Sequence, residues 1–261
     1  MSKTQHPSDP QVASPTYRLA SNDQDFIMGP SMRGVRFLLE FAKPDEAMTS
    51  WGVLSTIVVF GSARILEDGS DDHRRWYAAA REFAAIASKR GGAHLSAKHE
   101  RHNVICTGGG PGIMEAANRG AFEAGGISIG LNIRLARRQR PNRYHTPRLG
   151  LSFRYFALRK LHFLLRARAF VAFPGGFGTF DELFETLTLV QTRKIRPLPV
   201  VLVGEDWWRR AVDFDFLVAS GVIRRRDLRL FRYADTAGEI WRAVAGALPR
   251  RAPAGRAPAK S

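Results

Sequence analysis

Residues 169–182 of the chain read AFVAFPGGFGTFDE. The first five residues form an apolar run that ends at Pro174, which is typical of a strand buried on both faces of a parallel sheet. A glycine-rich turn follows the proline, and residues 179–192 have the apolar spacing of a helix. The stretch is therefore predicted to fold as strand, turn and helix.

The same unit recurs on both sides of this stretch. Further strands are predicted at residues 55–62, 103–107, 127–133 and 198–203. Helices are predicted at residues 73–89, 113–124, 153–166, 207–220 and 237–248. Strands that alternate with helices indicate an α/β fold, a Rossmann-like doubly wound parallel sheet with helices on both faces.

The length of 261 residues and the 44% hydrophobic content fit one α/β core with short appendages. Residues 1–25 are polar and are expected to be disordered. Residues 26–52 are expected to form a helical extension, in which Phe37, Leu38, Phe41 and Met48 share one face of a helix over residues 32–48. The core is predicted at residues 53–248, followed by a disordered basic tail at residues 249–261.

Cysteine usage and hydropathy predict a cytoplasmic protein that does not enter the membrane. Cys106 is the one cysteine, which excludes an internal disulfide and fits a reducing compartment. The N-terminus lacks an apolar signal-peptide core, and no apolar run reaches about 18 residues. His94, His99 and His102 fall in a polar connector and are expected to be solvated, so no metal site is predicted.

The formal net charge is +16, and residues 124–180 contain no acidic residue. Such a charge attracts polyanions, which makes nucleic-acid binding one hypothesis. The acid-free band adjoins the glycine-rich turn, however, where it steers a phosphorylated small molecule equally well. We therefore expect a small anionic ligand rather than nucleic acid.

A second glycine-rich segment, GGGPGIMEAAN, occupies residues 108–118. Ligands of parallel sheets bind at the carboxyl ends of the strands, so this segment, Ser62 and the 174–182 turn are expected to meet in one crevice. Gly109 and Gly110 let the backbone approach a phosphate or sugar, or else they only form a tight turn. The segment matches neither the strict dinucleotide fingerprint nor the P-loop, which disfavours a dehydrogenase or an NTPase.

Two polar residues of this segment, Glu115 and Asn118, lie three positions apart on one helix face. They are candidates for contacts with ribose hydroxyls or with a facing subunit. Ordinary packing on the helix surface is the alternative.

The 174–182 turn carries the main candidates for phosphate binding. Backbone N–H groups of Gly175, Gly176, Phe177, Gly178 and Thr179 are expected to be available to an anion, and Thr179 is also predicted to cap the helix. Glu182 follows three residues later, so it either folds back onto Thr179 as part of a capping box or points into the crevice as a catalytic carboxylate. Spacing alone leaves both roles open.

The chain resembles the LONELY GUY family of phosphoribohydrolases, which are often labelled lysine decarboxylases. Its signature, PGGxGTxxE, is matched at every fixed position between Pro174 and Glu182, and an Arg-Lys pair, Arg159 and Lys160, lies on the preceding helix. Arg159 stands 23 residues before Glu182, the separation that the family uses. The resemblance extends over roughly residues 57–203.

The resemblance implies hydrolysis of the N-glycosidic bond of a nucleoside 5′-monophosphate to free base and ribose 5-phosphate. Glu182 and Arg159 are then the catalytic residues, with Arg159 either orienting Glu182 or binding the sugar phosphate. Lys160 and Ser62 are expected to support the phosphate, although an exposed Lys160 could equally be solvated. No cofactor is implied.

Departures from the compact plant-type members leave the substrate open. The chain is longer, and Arg64 stands where shorter members carry small residues. A cytokinin riboside monophosphate and the common purine and pyrimidine nucleotides are therefore all candidates. The alternative function is a non-catalytic carrier of a nucleotide or of molybdenum cofactor, since a fold does not fix a function. The resemblance also implies a homodimer.

Overall fold

The computed structural model describes residues 10–94, 99–135 and 140–246. Residues 1–9 and the predicted basic tail at residues 249–261 lie outside the described residues.

Seven strands form one sheet in which every pair of neighbours is parallel. Their spatial order is β4-β3-β2-β1-β5-β6-β7. The strands are β1 Thr56–Phe60, β2 Val104–Thr107, β3 Ser128–Ile133, β4 Gly150–Phe153, β5 Ala167–Ala172, β6 Val200–Val203 and β7 Phe231–Ala234.

Helices cover both faces of this sheet, which confirms the predicted fold class. Side chains of β1 alternate between the faces, so that Ile57 and Val59 pack with α4, α5 and α10, while Val58 and Phe60 pack with α3, α6, α7 and α8. The helices are α1 Pro10–Ala13, α2 Gln24–Met28, α3 Arg33–Ser50, α4 Asp71–Arg90, α5 Ile113–Glu123, α6 Phe156–Leu165, α7 Phe177–Gln191, α8 Glu205–Ala211, α9 Phe214–Ala219 and α10 Ala237–Ala245.

Local signals account for several helix ends. Ser70 caps α4 by accepting a hydrogen bond from the N–H of His73, and α4 begins with two aspartates and ends with a lysine and an arginine. Thr236 and Glu239 form a capping box at the start of α10. These ends agree with the predicted helices to within a few residues.

The structure corrects the prediction at three places. β4 and β7 are missing from the prediction because each is a four-residue edge strand with too few residues to display a period. The predicted helix at residues 207–220 is two helices, because the Asp213 carboxylate caps a new start at Phe214. Residues 10–25, predicted to be disordered, contain α1, two turns of 3-10 helix and the start of α2, which Asp23 caps.

The helical extension exists as α3, but its predicted apolar face is only partly right. Met48 is buried in the core, whereas Leu38 is 65% exposed. The helix packs mainly on α6, through contacts that include Phe37 against Tyr155 and Phe41 against His162. α3 therefore lies on the outer side of α6, which itself packs on one face of the sheet.

The direction of winding reverses at β1. From β1 the chain builds β2, β3 and β4 to one side, and then α6 returns it to β5 on the other side. A reversal of this kind opens a crevice between the loops that follow the two adjacent strands, here β1 and β5.

None of the helices in the described part of the chain is long and apolar enough to cross a membrane. Among residues 10–94, 99–135 and 140–246, no three His, Cys, Asp or Glu side chains form a group that could hold a metal ion.

Candidate active site

A cavity of about 780 Å³ opens at the carboxyl ends of β1, β2, β3 and β5. Six of the residues predicted for the site line it: Ser62, Arg159, Gly176, Phe177, Gly178 and Thr179. The crevice at the reversal of the sheet is therefore a real cavity, and six of the thirteen candidate residues line it.

The three glycine-rich segments meet there, as the sequence predicts. The N–H of Ser62 donates to the carbonyl of Pro174 at 2.9 Å, which joins the loop after β1 to the loop after β5. The N–H of Ile113 donates to the carbonyl of Ser62 at 3.2 Å. Gly112 has φ +69°, and a Cβ there would overlap the backbone of Ser62 and Ala63, so glycine is required for this close approach.

The turn before α7 is shaped to leave room for a ligand. A Cβ at Gly175 would overlap Thr179 Oγ1, which fixes that residue as glycine, whereas a Cβ at Gly176 or Gly178 would meet no atom within 4 Å. The N–H of Thr179 donates to the carbonyl of Gly176 at 2.9 Å and is therefore not available to an anion, contrary to expectation. The N–H groups of Phe177 and Gly178 remain at the N-terminus of a fifteen-residue helix.

The structure excludes one of the two roles considered for Glu182, the capping box. α7 begins at Phe177 with Gly176 as its N-cap, and no side chain caps it. Glu182 consequently lies in the second turn, too far along to close a capping box. Its side chain is 3% exposed, and Oε1 has no hydrogen-bond partner among the described residues. Burial raises the pKa of Glu182 to about 7, against the opposing charges of Lys160 and Arg159.

Arg159 links this carboxylate to the cavity. Its Nη2 atom lies 3.7 Å from Glu182 Oε1, close enough for an ion pair but too far for a hydrogen bond. Its guanidinium carbon lies 5.0 Å from the ring centre of Phe156 and 5.6 Å from that of Phe163. Burial lowers the pKa of Arg159, while Glu182 and Asp181 raise it. Arg159 lines the cavity, and Glu182 is not among the lining residues.

Lys160 is neither solvated nor among the lining residues of the cavity. Its ammonium nitrogen lies 2.7 Å from Asp181 and 2.9 Å from Glu185, which stand one residue before and three residues after Glu182 on α7. These carboxylates raise the pKa of Lys160 against the effect of its burial. Lys160 therefore joins α6 to α7, the helices that carry Arg159 and Glu182, and its charge is paired with two carboxylates outside the cavity lining.

One candidate of the 108–118 segment, Asn118, supports the glycine turn from behind. Asn118 is fully buried, and it hydrogen-bonds Thr107, Ser128 and Asn142, which corrects its prediction as a ribose contact. Asn142 also holds Gly109 and Gly110 through their carbonyl groups.

The cavity takes other residues from this part of the chain. Its wall includes Gly108 and Met114 rather than Gly109, Gly110 or Glu115. The segment thus shapes the crevice without offering its central glycines to a ligand.

The lining residues that were not predicted as binding residues include Arg64, Asn132 and Phe156. Arg64 is exposed, its N–H donates to Ser62 Oγ at 3.1 Å, and no ion pair of its side chain occurs within the described residues. Arg64 follows β1, Asn132 lies near the end of β3, and Phe156 begins α6. Their positions at the carboxyl ends of strands could have indicated Arg64 and Asn132 as binding residues.

Comparison with known proteins places these motifs in a family. A family model described as "Possible lysine decarboxylase" matches residues 114–244. A probable cytokinin riboside 5′-monophosphate phosphoribohydrolase of Oryza sativa subsp. japonica, LOG4, is 37% identical over 84 residues, 31% of this chain and 36% of the relative. The cytokinin riboside 5′-monophosphate phosphoribohydrolase LOG5 of Arabidopsis thaliana is 28% identical over 143 residues, which are 54% of this chain and 61% of the relative. The chain thus matches less than two thirds of the length of either relative.

Solved structures share the fold. The X-ray structure of TM1055, a structural-genomics target, is 21% identical with a TM-score of 0.51, covering 74% of this chain and 99% of the other. The molybdenum cofactor carrier protein of Chlamydomonas reinhardtii is 22% identical with a TM-score of 0.50, covering 74% of this chain and 97% of the other. At these identities the likeness concerns the fold alone.

Proposed function

Because the chain belongs to the family described as possible lysine decarboxylases, the LONELY GUY family, we propose that it hydrolyses the N-glycosidic bond of a nucleoside 5′-monophosphate to free base and ribose 5-phosphate. The observation that carries the proposal is the Glu182 carboxylate, buried with an unpaired oxygen and a pKa of about 7 beside Arg159 at the cavity wall. Strongly shifted pKa values beside a cavity are more frequent at functional sites than elsewhere. The homodimer stays a prediction, for which the exposed Leu161 and Leu165 of α6 offer an apolar face.

The 5′-phosphate would bind at the start of α7. The N–H groups of Phe177 and Gly178 and the positive end of the helix dipole favour an anion there. Of the cations near the site, Arg159 is engaged with Glu182 and Lys160 with two carboxylates. Arg64, exposed at the cavity and without an ion pair in the part of the chain that the structure describes, is therefore the cation that we assign to the phosphate.

In the reaction, the bond between the ribose C1′ and the base nitrogen breaks, and a water oxygen bonds to C1′. Positive charge develops on the ribose as the base leaves, and the ionised Glu182 stabilises that charge and accepts a proton from the water. The departing base takes up a proton. A pKa near neutrality suits a group that must hold and release protons at neutral pH. Since Glu182 lies behind Arg159, the guanidinium has to shift when the substrate binds.

A substrate panel tests the proposed function. AMP, GMP, CMP, UMP and a prenylated adenosine monophosphate are incubated with the purified protein, and free base is measured by chromatography. We expect release from at least one monophosphate and slower release from the matching nucleosides, which lack the phosphate. Nucleotide binding without release of base from any of them would favour a carrier. Release of carbon dioxide from lysine would contradict the proposal and support a lysine decarboxylase.

Replacing Arg64 tests the phosphate assignment. Arg64→Ala is expected to raise the KM for the monophosphate about 10- to 100-fold, the equivalent of one charge-assisted hydrogen bond, with little change in kcat. KM for the nucleoside should stay constant. Arg225→Ala, which removes an exposed arginine outside the cavity, is the matched control. An equal effect on nucleoside and nucleotide would rule out a phosphate contact.

A further inference from the structure

We infer that Glu40, in the helical extension, is a positioning residue for Arg159. The inference rests on the proposed function, because it assigns a role in the same active site. Glu40 lies on α3, on the outer side of α6, and it is not among the residues that line the cavity. Its effect on the reaction is therefore indirect, through the start of α6.

The start of α6 lacks a cap of its own. Tyr155 occupies the N-cap position, and its side chain makes no capping hydrogen bond. Glu40 instead binds the two residues that lead into the helix: Oε1 accepts from the N–H of Arg154 at 3.0 Å and Oε2 from the N–H of Tyr155 at 3.1 Å. A carboxylate at this end also interacts favourably with the helix dipole. The arrangement resembles half of a capping box, with the glutamate coming from more than a hundred residues earlier in the chain.

Neighbouring side chains of α3 hold the same point. Arg36, which is almost fully buried, donates from Nε to the Tyr155 hydroxyl at 3.1 Å and from Nη1 to the carbonyls of Ile27 and Gly29 at 2.8 and 2.6 Å. The ring of Phe37 meets that of Tyr155 edge-on with centroids 4.5 Å apart. The helical extension thus fixes the segment before α6 through its backbone N–H groups and through the hydroxyl and ring of Tyr155.

This fixed point lies one helical turn from the catalytic arginine. The N–H of Arg159 donates to the carbonyl of Tyr155 at 3.2 Å, and Phe156 and Arg159 both line the cavity. Coulombic attraction between Arg159 and Glu182 depends on their separation, now 3.7 Å. Loosening the start of α6 therefore weakens the field that Arg159 exerts on Glu182 and misplaces its guanidinium.

Two variants and a matched control test the inference. Glu40→Gln keeps the shape but loses the charge and one acceptor, and Glu40→Ala loses both acceptors. Glu46→Gln removes an exposed carboxylate from the same helix, for which no ion pair or side-chain hydrogen bond is recorded among the described residues. We expect Glu40→Ala to lower kcat about 10- to 100-fold, as small misplacements of catalytic groups do, with a smaller change in KM. Glu40→Gln should fall between Glu40→Ala and the wild type.

The pH profile separates positioning from simple stabilisation. Weaker attraction from Arg159 raises the pKa of Glu182, so the rise of kcat with pH should move to higher pH in Glu40→Ala and stay in place in Glu46→Gln. A lowered melting temperature with unchanged kcat and pH profile would overturn the inference.

A direct titration distinguishes this inference from the proposed function. If the wild type releases no base, the proposed function fails, and the Glu182 carboxyl is then titrated by NMR in the wild type and in Glu40→Ala. A higher pKa in the variant supports the link from Glu40 to Arg159 and Glu182. An unchanged pKa refutes it.

Discussion

Glu182→Gln is expected to lower the rate of base release about 10³-fold or more while the chain still folds. Gln has the shape of Glu but can neither carry the negative charge that the ribose cation requires nor accept a proton from water. The measurement is kcat and kcat/KM for the best monophosphate of the substrate panel. Because the side chain is buried, the variant should bind product or substrate with little change.

The matched control lies one turn further along α7. Glu185→Gln removes a carboxylate that pairs with Lys160, while Asp181 still holds that lysine. We expect its rate to stay within about threefold of the wild type, as for partly exposed ion pairs of small energy. Equal losses in Glu182→Gln and Glu185→Gln would mean that charge on α7, rather than Glu182 itself, supports the reaction.

The contribution of Glu182 to the free energy of unfolding should fall as pH rises, the opposite of the carboxylate effect in a typical acid denaturation. The pKa of Glu182 is raised from 4.5 to about 7, so the folded state binds the proton more tightly than the unfolded state. The contribution of this group to stability is therefore greatest below pH 4.5, falls as pH rises to 7 and is constant above, a total of about 3 kcal/mol. Glu182→Gln lacks this dependence on pH. Comparing the free energies of unfolding in urea of the wild type and the variant at pH 5 and pH 8 therefore checks the burial of the carboxylate.

The alternation of strands and helices and the position of the crevice follow from sequence patterns that act locally, whereas the strand order and most of the lining residues do not. The strand at residues 169–173 and the glycine turn after it are readable because buried parallel strands are continuous apolar runs. The role of Glu182 was not readable, because it depends on where α7 begins. That start is at Phe177, two residues before the predicted Thr179, since glycine at position 176 serves as N-cap without a side chain.

Asn118 and Lys160 illustrate a second limit. Both are polar and near the site in sequence, and both turn out to be supports rather than lining residues, because their partners lie on other elements: Ser128 and Asn142 for Asn118, Asp181 and Glu185 for Lys160. A spacing pattern describes one helix face and contains no information about what packs against it. Glu40, which binds the backbone just before the distant helix α6, was missed for the same reason.

Replacing Arg159 separates the two roles that the sequence leaves open for it. Arg159→Ala is expected to lower kcat/KM about 100-fold, because it removes the charge beside Glu182 and one wall of the cavity. If Arg159 acts through Glu182, its loss raises the pKa of Glu182, so that the pH at which kcat reaches half its maximum moves upward. If Arg159 instead binds the sugar phosphate, KM rises and that pH stays where it is.

The geometry favours the first outcome. Arg159 is 12% exposed, stacked between Phe156 and Phe163, and 3.7 Å from Glu182 Oε1, so its charge is directed at the carboxylate. Arg159→Lys should restore part of the rate and most of the pH profile, since an ammonium supplies the charge without the planar fork. Arg168→Ala, at an exposed arginine outside this cavity, controls for the loss of positive charge near α6. A KM effect in Arg159→Ala that exceeds the one in Arg64→Ala would exchange the roles of the two arginines and assign the phosphate to Arg159.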